Sequence, residues 1–124
     1  MKKLKAFRGA TCAENTSESI AKNVCEMCIS LFEKNAIEMN DIVSIQFTMT
    51  SDLDAANPAS VLRKSQNKFD VSEVAFFCSA EASVKNMFPK TIRVLLTAYA
   101  DENAKAHYVY MNGAEKLRPE FSCQ

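Results

Sequence analysis

Thr91-Ile92-Arg93-Val94-Leu95-Leu96-Thr97-Ala98-Tyr99 is the stretch on which the fold turns. It is apolar and rich in β-branched residues, so it reads as a strand. Alternate side chains of a strand face opposite ways. Ile92, Val94, Leu96 and Ala98 therefore share one face, while Arg93 points the other way with Leu95 and Thr97. The first face belongs against a core. The second mixes a cation with an aliphatic chain and is neither plain core nor plain solvent side.

Outward from this strand, the pattern alternates between strand and helix. Residues 3–8 read as a first strand ending in Arg8-Gly9-Ala10-Thr11. Asn15 with Glu18 three residues on predicts a helix cap and its reciprocal partner. Ile20, Val24, Met27, Cys28 and Leu31 follow at helical spacing, giving an amphipathic helix to about Asn35. Asn40-Asp41 marks a turn, after which Val43, Ile45, Phe47 and Met49 alternate as in a half-buried strand. Asn57-Pro58 opens a second helix with proline at its first position. Residues 64–72 are polar and read as a loop, and 74–78 as a short strand. Asn112-Gly113, between His107 and Leu117, predicts a two-residue hairpin turn. The order implies an α+β (mixed α/β) fold, with one mixed sheet packed on two helices.

The chain has 124 residues, 48% of them hydrophobic, with zero net charge and two glycines. That is enough for one domain, 1–124, with a real core. Zero net charge argues against nucleic acid as partner. No apolar run approaches the ~20 residues that span a bilayer. Met1-Lys2-Lys3-Leu4-Lys5 has charge but no apolar run behind it, so it is not a signal peptide, and a cytoplasmic location follows. Cys12, Cys25, Cys28, Cys78 and Cys123 make an odd count of five, which reads as reduced thiols. Cys25-Glu26-Met27-Cys28 spells C-x-x-C, but it lies inside the helical pattern, and His107 is the only histidine available to complete a zinc site.

The positive charge is uneven in kind. Of fifteen Lys plus Arg, four are arginines: Arg8, Arg63, Arg93 and Arg118. A guanidinium grips a carboxylate through two parallel hydrogen bonds, which an ammonium cannot do. Arg8, Arg93 and Arg118 sit in or beside apolar runs, where a charge costs desolvation unless an anion meets it. An internal Asp or Glu could be that anion for any one of them. As a set they point to a pocket for a small ligand with more than one carboxylate. Cys78 with His107 is the one nucleophile–base combination, and nothing in their spacing supports it. Glu81 and Tyr110, each taken alone, read as a surface acid and an interface aromatic.

Six short motifs, in order, change that reading: Arg8-Gly9-Ala10-Thr11, Pro58-Ala59, Cys78-x-x-Glu81, Ile92-Arg93-Val94, His107-x-x-Tyr110 and Leu117-Arg118-Pro119. Together, from about Lys5 to Glu120, the chain resembles the monofunctional chorismate mutases of the small trimeric α/β class. The resemblance implies a pseudo α/β-barrel homotrimer with active sites in clefts between subunits. It implies chorismate, a dicarboxylate, as substrate and prephenate as product, with no cofactor and no metal. By the same resemblance Arg93 would contact the ether oxygen, and Arg8 and Tyr110 would hold a carboxylate. Glu81, helped by Cys78, would accept the ring hydroxyl, while Arg63 and Arg118 would attract the second carboxylate at the rim beside Leu117.

The chain departs from the family pattern at Asn57, where an aromatic is usual, at Ser60, where a lysine is usual, and at Phe77, where a small hydroxyl residue is usual. Ser83-Val84-Lys85-Asn86 replaces the glycines that usually follow the glutamate. These changes touch binding more than charge stabilisation, so weaker substrate affinity is expected. Two other readings remain at this level: a non-catalytic trimer that senses a carboxylate metabolite, and a hydrolytic relative such as the enamine/imine deaminases.

Overall fold

The computed structural model describes residues 1–121, so Cys123 lies outside the described residues. Five strands and two helices alternate as β1 (Lys2–Cys12), α1 (Ser17–Lys34), β2 (Ile42–Met49), α2 (Pro58–Lys64), β3 (Phe76–Ala80), β4 (Thr91–Asp101) and β5 (Val109–Met111). They form one mixed sheet in the order β3-β2-β4-β1-β5. The central strand β4 runs antiparallel to β1 and β2, and the edge strands β3 and β5 run parallel to their neighbours.

β4 behaves as its alternation requires. Ile92, Val94, Leu96 and Ala98 are buried under the helices, with Phe7 from β1 and Ile45 and Phe47 from β2. α1 meets them with Ile20, Val24, Met27, Leu31 and Phe32, and α2 adds Leu62. Each such side chain, fully withdrawn from water, contributes about 1.5–3 kcal/mol. Gly9 lies where strands crowd: a Cβ there would come within 2.9 Å of Val94 Cγ1 and 3.2 Å of the Val109 carbonyl oxygen. The absent side chain lets β5 close on β1.

Four local expectations need correction. The cap of α1 is Thr16, whose side chain accepts the Ser19 N–H at 3.1 Å while the Ser19 hydroxyl accepts the Glu14 N–H. Asn15 is spent elsewhere, its Oδ1 accepting the N–H groups of Asp54 and Ala55, each at 2.9 Å. β3 begins two residues later than expected, because the Val74 N–H turns back to the Val71 carbonyl. Val43 is exposed, since the β2–β4 register shifts between Ile42 and Ser44 and sets it outside the alternation.

The hairpin at Asn112-Gly113 does not form. Both residues do have positive φ (56° and 101°), but β5 pairs parallel with β1, and the chain then enters a 3-10 helix, Ala114–Leu117. Asn112 Nδ2 donates to Thr11 Oγ1 at 3.0 Å, and the Gly113 N–H to Glu115 Oε1, so the turn is tied back to β1. α2 is capped as the sequence predicts, by Asn57 with Pro58 behind it.

The opposite face of the sheet carries neither α-helix. Leu4, Phe77, Leu95 and Tyr99 lie on it with 50%, 66%, 37% and 47% exposure, among Arg8, Arg93, Gln46 and Thr48. No helix among the described residues is long and apolar enough to cross a membrane.

Candidate active site

The face without α-helices holds a pocket of about 270 Å³ lined by Arg8 from β1, Gln46 and Thr48 from β2, Arg93 from β4, Tyr110 from β5 and Glu81 just past β3. Strand register gathers them: Thr48 pairs with Arg93, Gln46 with Leu95, Arg8 with Leu95, and Ala10 with both Arg93 and Tyr110. Glu81 is anchored by its N–H to the Met49 carbonyl at 2.9 Å.

Arg93 is half exposed (47%) and Glu81 largely buried (20%), and they form an ion pair between Nε and Oε1 at 3.2 Å. The same Oε1 accepts the Thr48 hydroxyl at 2.6 Å. The Glu81 contact is to the inner nitrogen of Arg93, and no second carboxylate among the described residues pairs with this guanidinium, which lines the pocket. The Arg8 guanidinium lies 4.8 Å above the Tyr108 ring. Arg118 forms an ion pair with Glu120. That hydrogen-bonded pair raises the guanidinium's pKa and, with Arg8 adding, holds the Glu120 carboxyl below its usual range. Leu117 packs on the buried Ala10, Tyr110 and Ala114 beside the pocket.

The remaining predicted residues lie elsewhere. On the helix side of β3, the Cys78 thiol donates to Asn57 Oδ1 at 3.5 Å, and that oxygen also accepts the Ser60 N–H at 3.1 Å. Arg63, on α2, stacks 5.3 Å above the Phe76 ring. Phe77 points the other way, onto the face without α-helices. Arg8, Glu81, Arg93 and Tyr110 are thus brought together within one chain, with Arg118 and Leu117 alongside. Asn57, Ser60, Arg63 and Cys78 form a second group.

Cys78 and His107 are not a catalytic pair within one chain. β3 and β5 are opposite edges of the sheet, about 19 Å apart at the usual strand spacing. His107 is tied to Asn35 by its backbone, with both bonds at 2.7 Å. In the C-x-x-C stretch, burial pushes the Cys28 thiol up and away from thiolate reactivity.

Sequence reading passed over Gln46, Thr48 and Tyr108. The alternation of β2 does put Gln46 and Thr48 opposite Ile45 and Phe47, but their neighbours depend on a register that alternation alone leaves open.

The pocket thus sets the cation of Arg93 beside the carboxylate of Glu81, on the face without an α-helix. The family model described as chorismate mutase type I matches residues 4–121. The chain belongs to the type I chorismate mutases. It is 30% identical over 120 residues to the chorismate mutase AroH of Thermus thermophilus, covering 94% of this chain and 95% of the relative. Against the chorismate mutase AroH of Bacillus subtilis (strain 168), identity is 29% over 121 residues, with 96% and 93% covered. A solved chorismate mutase from Clostridium thermocellum superposes with a TM-score of 0.81 at 36% identity, covering 91% of this chain and 99% of that one. This type I chorismate mutase is therefore an isomerase of aromatic amino-acid biosynthesis. Neither the metabolite sensor nor the deaminase reading gains support from these relatives.

Proposed function

We propose that the pocket on the face without α-helices converts chorismate to prephenate by a Claisen rearrangement, with Arg93 as the main source of rate enhancement. The observation that carries this is the placement of Arg93: it sits on a central strand, paired at its inner nitrogen with Glu81, and lines the cavity. In the reaction one C–O bond breaks while one C–C bond forms, and no proton moves. The catalyst must hold the substrate in its compact conformer and place positive charge at the ether oxygen as it becomes negative. Arg93 supplies the charge, Arg8 and Tyr110 hold one carboxylate, and Glu81 accepts the ring hydroxyl. Only contacts that strengthen towards the transition state accelerate the step.

The second half of the site comes from a neighbouring copy of the chain in a homotrimer. What supports this is the separation of the two residue groups. Asn57, Ser60, Arg63 and Cys78 flank the edge strand β3 on its helix side, and none of them lines the pocket in its own chain. The part-exposed apolar side chains Leu4, Phe77, Leu95 and Tyr99 supply a surface for a second copy. Arg63 and Arg118 attract the second carboxylate at the rim, and Ser60, in place of a lysine, weakens that grip. The chain works as one domain, 1–124, in the cytoplasm.

Loss of chorismate absorbance in the presence of the purified protein tests the site. Replacing Arg93 by Gln should lower kcat/KM on the order of 10²–10³-fold, as loss of one oxyanion donor does. A variant that kept most of its activity would remove Arg93 from its role.

A further inference from the structure

We propose that Thr48 is a positioning residue for the rearrangement, acting through Glu81. The inference rests on the reading of Glu81 and Arg93 as substrate contacts. Thr48 lies on β2 directly opposite Arg93 on β4, and its side chain faces the same pocket. Its hydroxyl donates to Glu81 Oε1 at 2.6 Å, the oxygen that also meets Arg93 Nε at 3.2 Å. Both contacts therefore fall on one oxygen of the carboxylate. No described residue takes Oε2, which stays available for a substrate hydroxyl.

The geometry matters because a carboxylate beside a guanidinium tends to rotate into the bidentate fork, two parallel hydrogen bonds to two nitrogens. Such a fork would turn Oε2 from the substrate and neutralise the guanidinium at the edge that faces the pocket. Glu81 follows the end of β3 and leads into the irregular segment 81–90, so the strand ladder does not fix its side chain. Thr48, rigid at χ1 and seated on an inner strand, holds Oε1 on the β2 side and keeps the pair single-pronged. The hydroxyl thus keeps Arg93 charged towards the ligand and Glu81 open to it.

The test compares Thr48→Val, which keeps shape and strand preference, with Thr48→Ser, which keeps the hydroxyl. In the intact protein, Thr48→Val should lower kcat about tenfold, the low end of what a hydrogen bond to a charged group is worth. KM and the unfolding midpoint should hardly move, and Thr48→Ser should restore kcat to within about twofold. In a Glu81→Gln background the valine change should cost less than about twofold more. Equal losses in the valine and serine variants, or an undiminished valine effect in the Glu81→Gln background, would overturn the link. Full activity of Thr48→Val beside a crippled Glu81→Gln would overturn this inference alone. Full activity of Glu81→Gln would overturn the site reading and the inference with it.

Discussion

On the helix-covered face of the sheet Phe7, Phe47, Ile92 and Leu96 are almost wholly withdrawn from water, whereas on the other face the same strands leave Leu4, Leu95 and Tyr99 partly exposed among charges. One backbone ladder serves both. Successive residues of β4 alternate between a core that any well-shaped apolar side chain could fill and a surface where Arg93 has a particular partner at a particular distance. The covered face tolerates exchange of kind as long as volume is kept. On the open face Arg93 and Glu81 are matched in charge and position, a match that an exchange of kind would break. With the site proposed above, stability and catalysis become separable by parity along a strand.

That separation can be broken first at the open face itself. Tyr99→Asp puts a charge into the surface where a second copy would pack, away from the pocket lining. An uncompensated charge buried at an interface costs about 3–5 kcal/mol, so sedimentation should show dissociation and activity should fall with it. A stable monomer with full activity, in the variant or in the parent, would confine the whole site to one chain. On the covered face, Leu31→Ala should lower unfolding free energy by about 2–5 kcal/mol in a urea titration. Its kcat per folded molecule should stay at the parent value, and a drop there would show that the two faces are coupled. The smallest expected effect is at Asn57→Ala. Loss of the α2 cap should cost about 1 kcal/mol of stability. It also removes the Cys78 acceptor, so a rise in KM larger than the stability change explains would link this group to substrate binding.

The contrast also explains what could be seen in advance. β4 and α1 were legible because burial imposes a period, and the period survives in the order of residues. The α2 cap was legible because Asn57-Pro58 is a local device. Thr16 caps α1 in place of Asn15 because both residue types can cap a helix, and a loop nearly forty residues away engages Asn15. The hairpin at Asn112-Gly113 failed for a related reason. The backbone angles were those a tight turn needs, but the partner of β5 is β1, about a hundred residues earlier in the chain. The arginines stood out by their chemistry, whereas Thr48 did not, because a threonine in a strand is ordinary until the register sets it beside Glu81. Residue type announces charge; only pairing reveals aim.

Gly9 gives this arrangement its scale. Arg8 and Tyr110 are carried by adjacent parallel strands, and the interval between those strands is set where Gly9 faces Val109 with nothing but hydrogen between. The width of the cleft is in that sense calibrated by an atom the chain leaves out. The spacing of Arg8 and Tyr110 across the cavity is then a property of the seam between β1 and β5 as much as of the two side chains themselves.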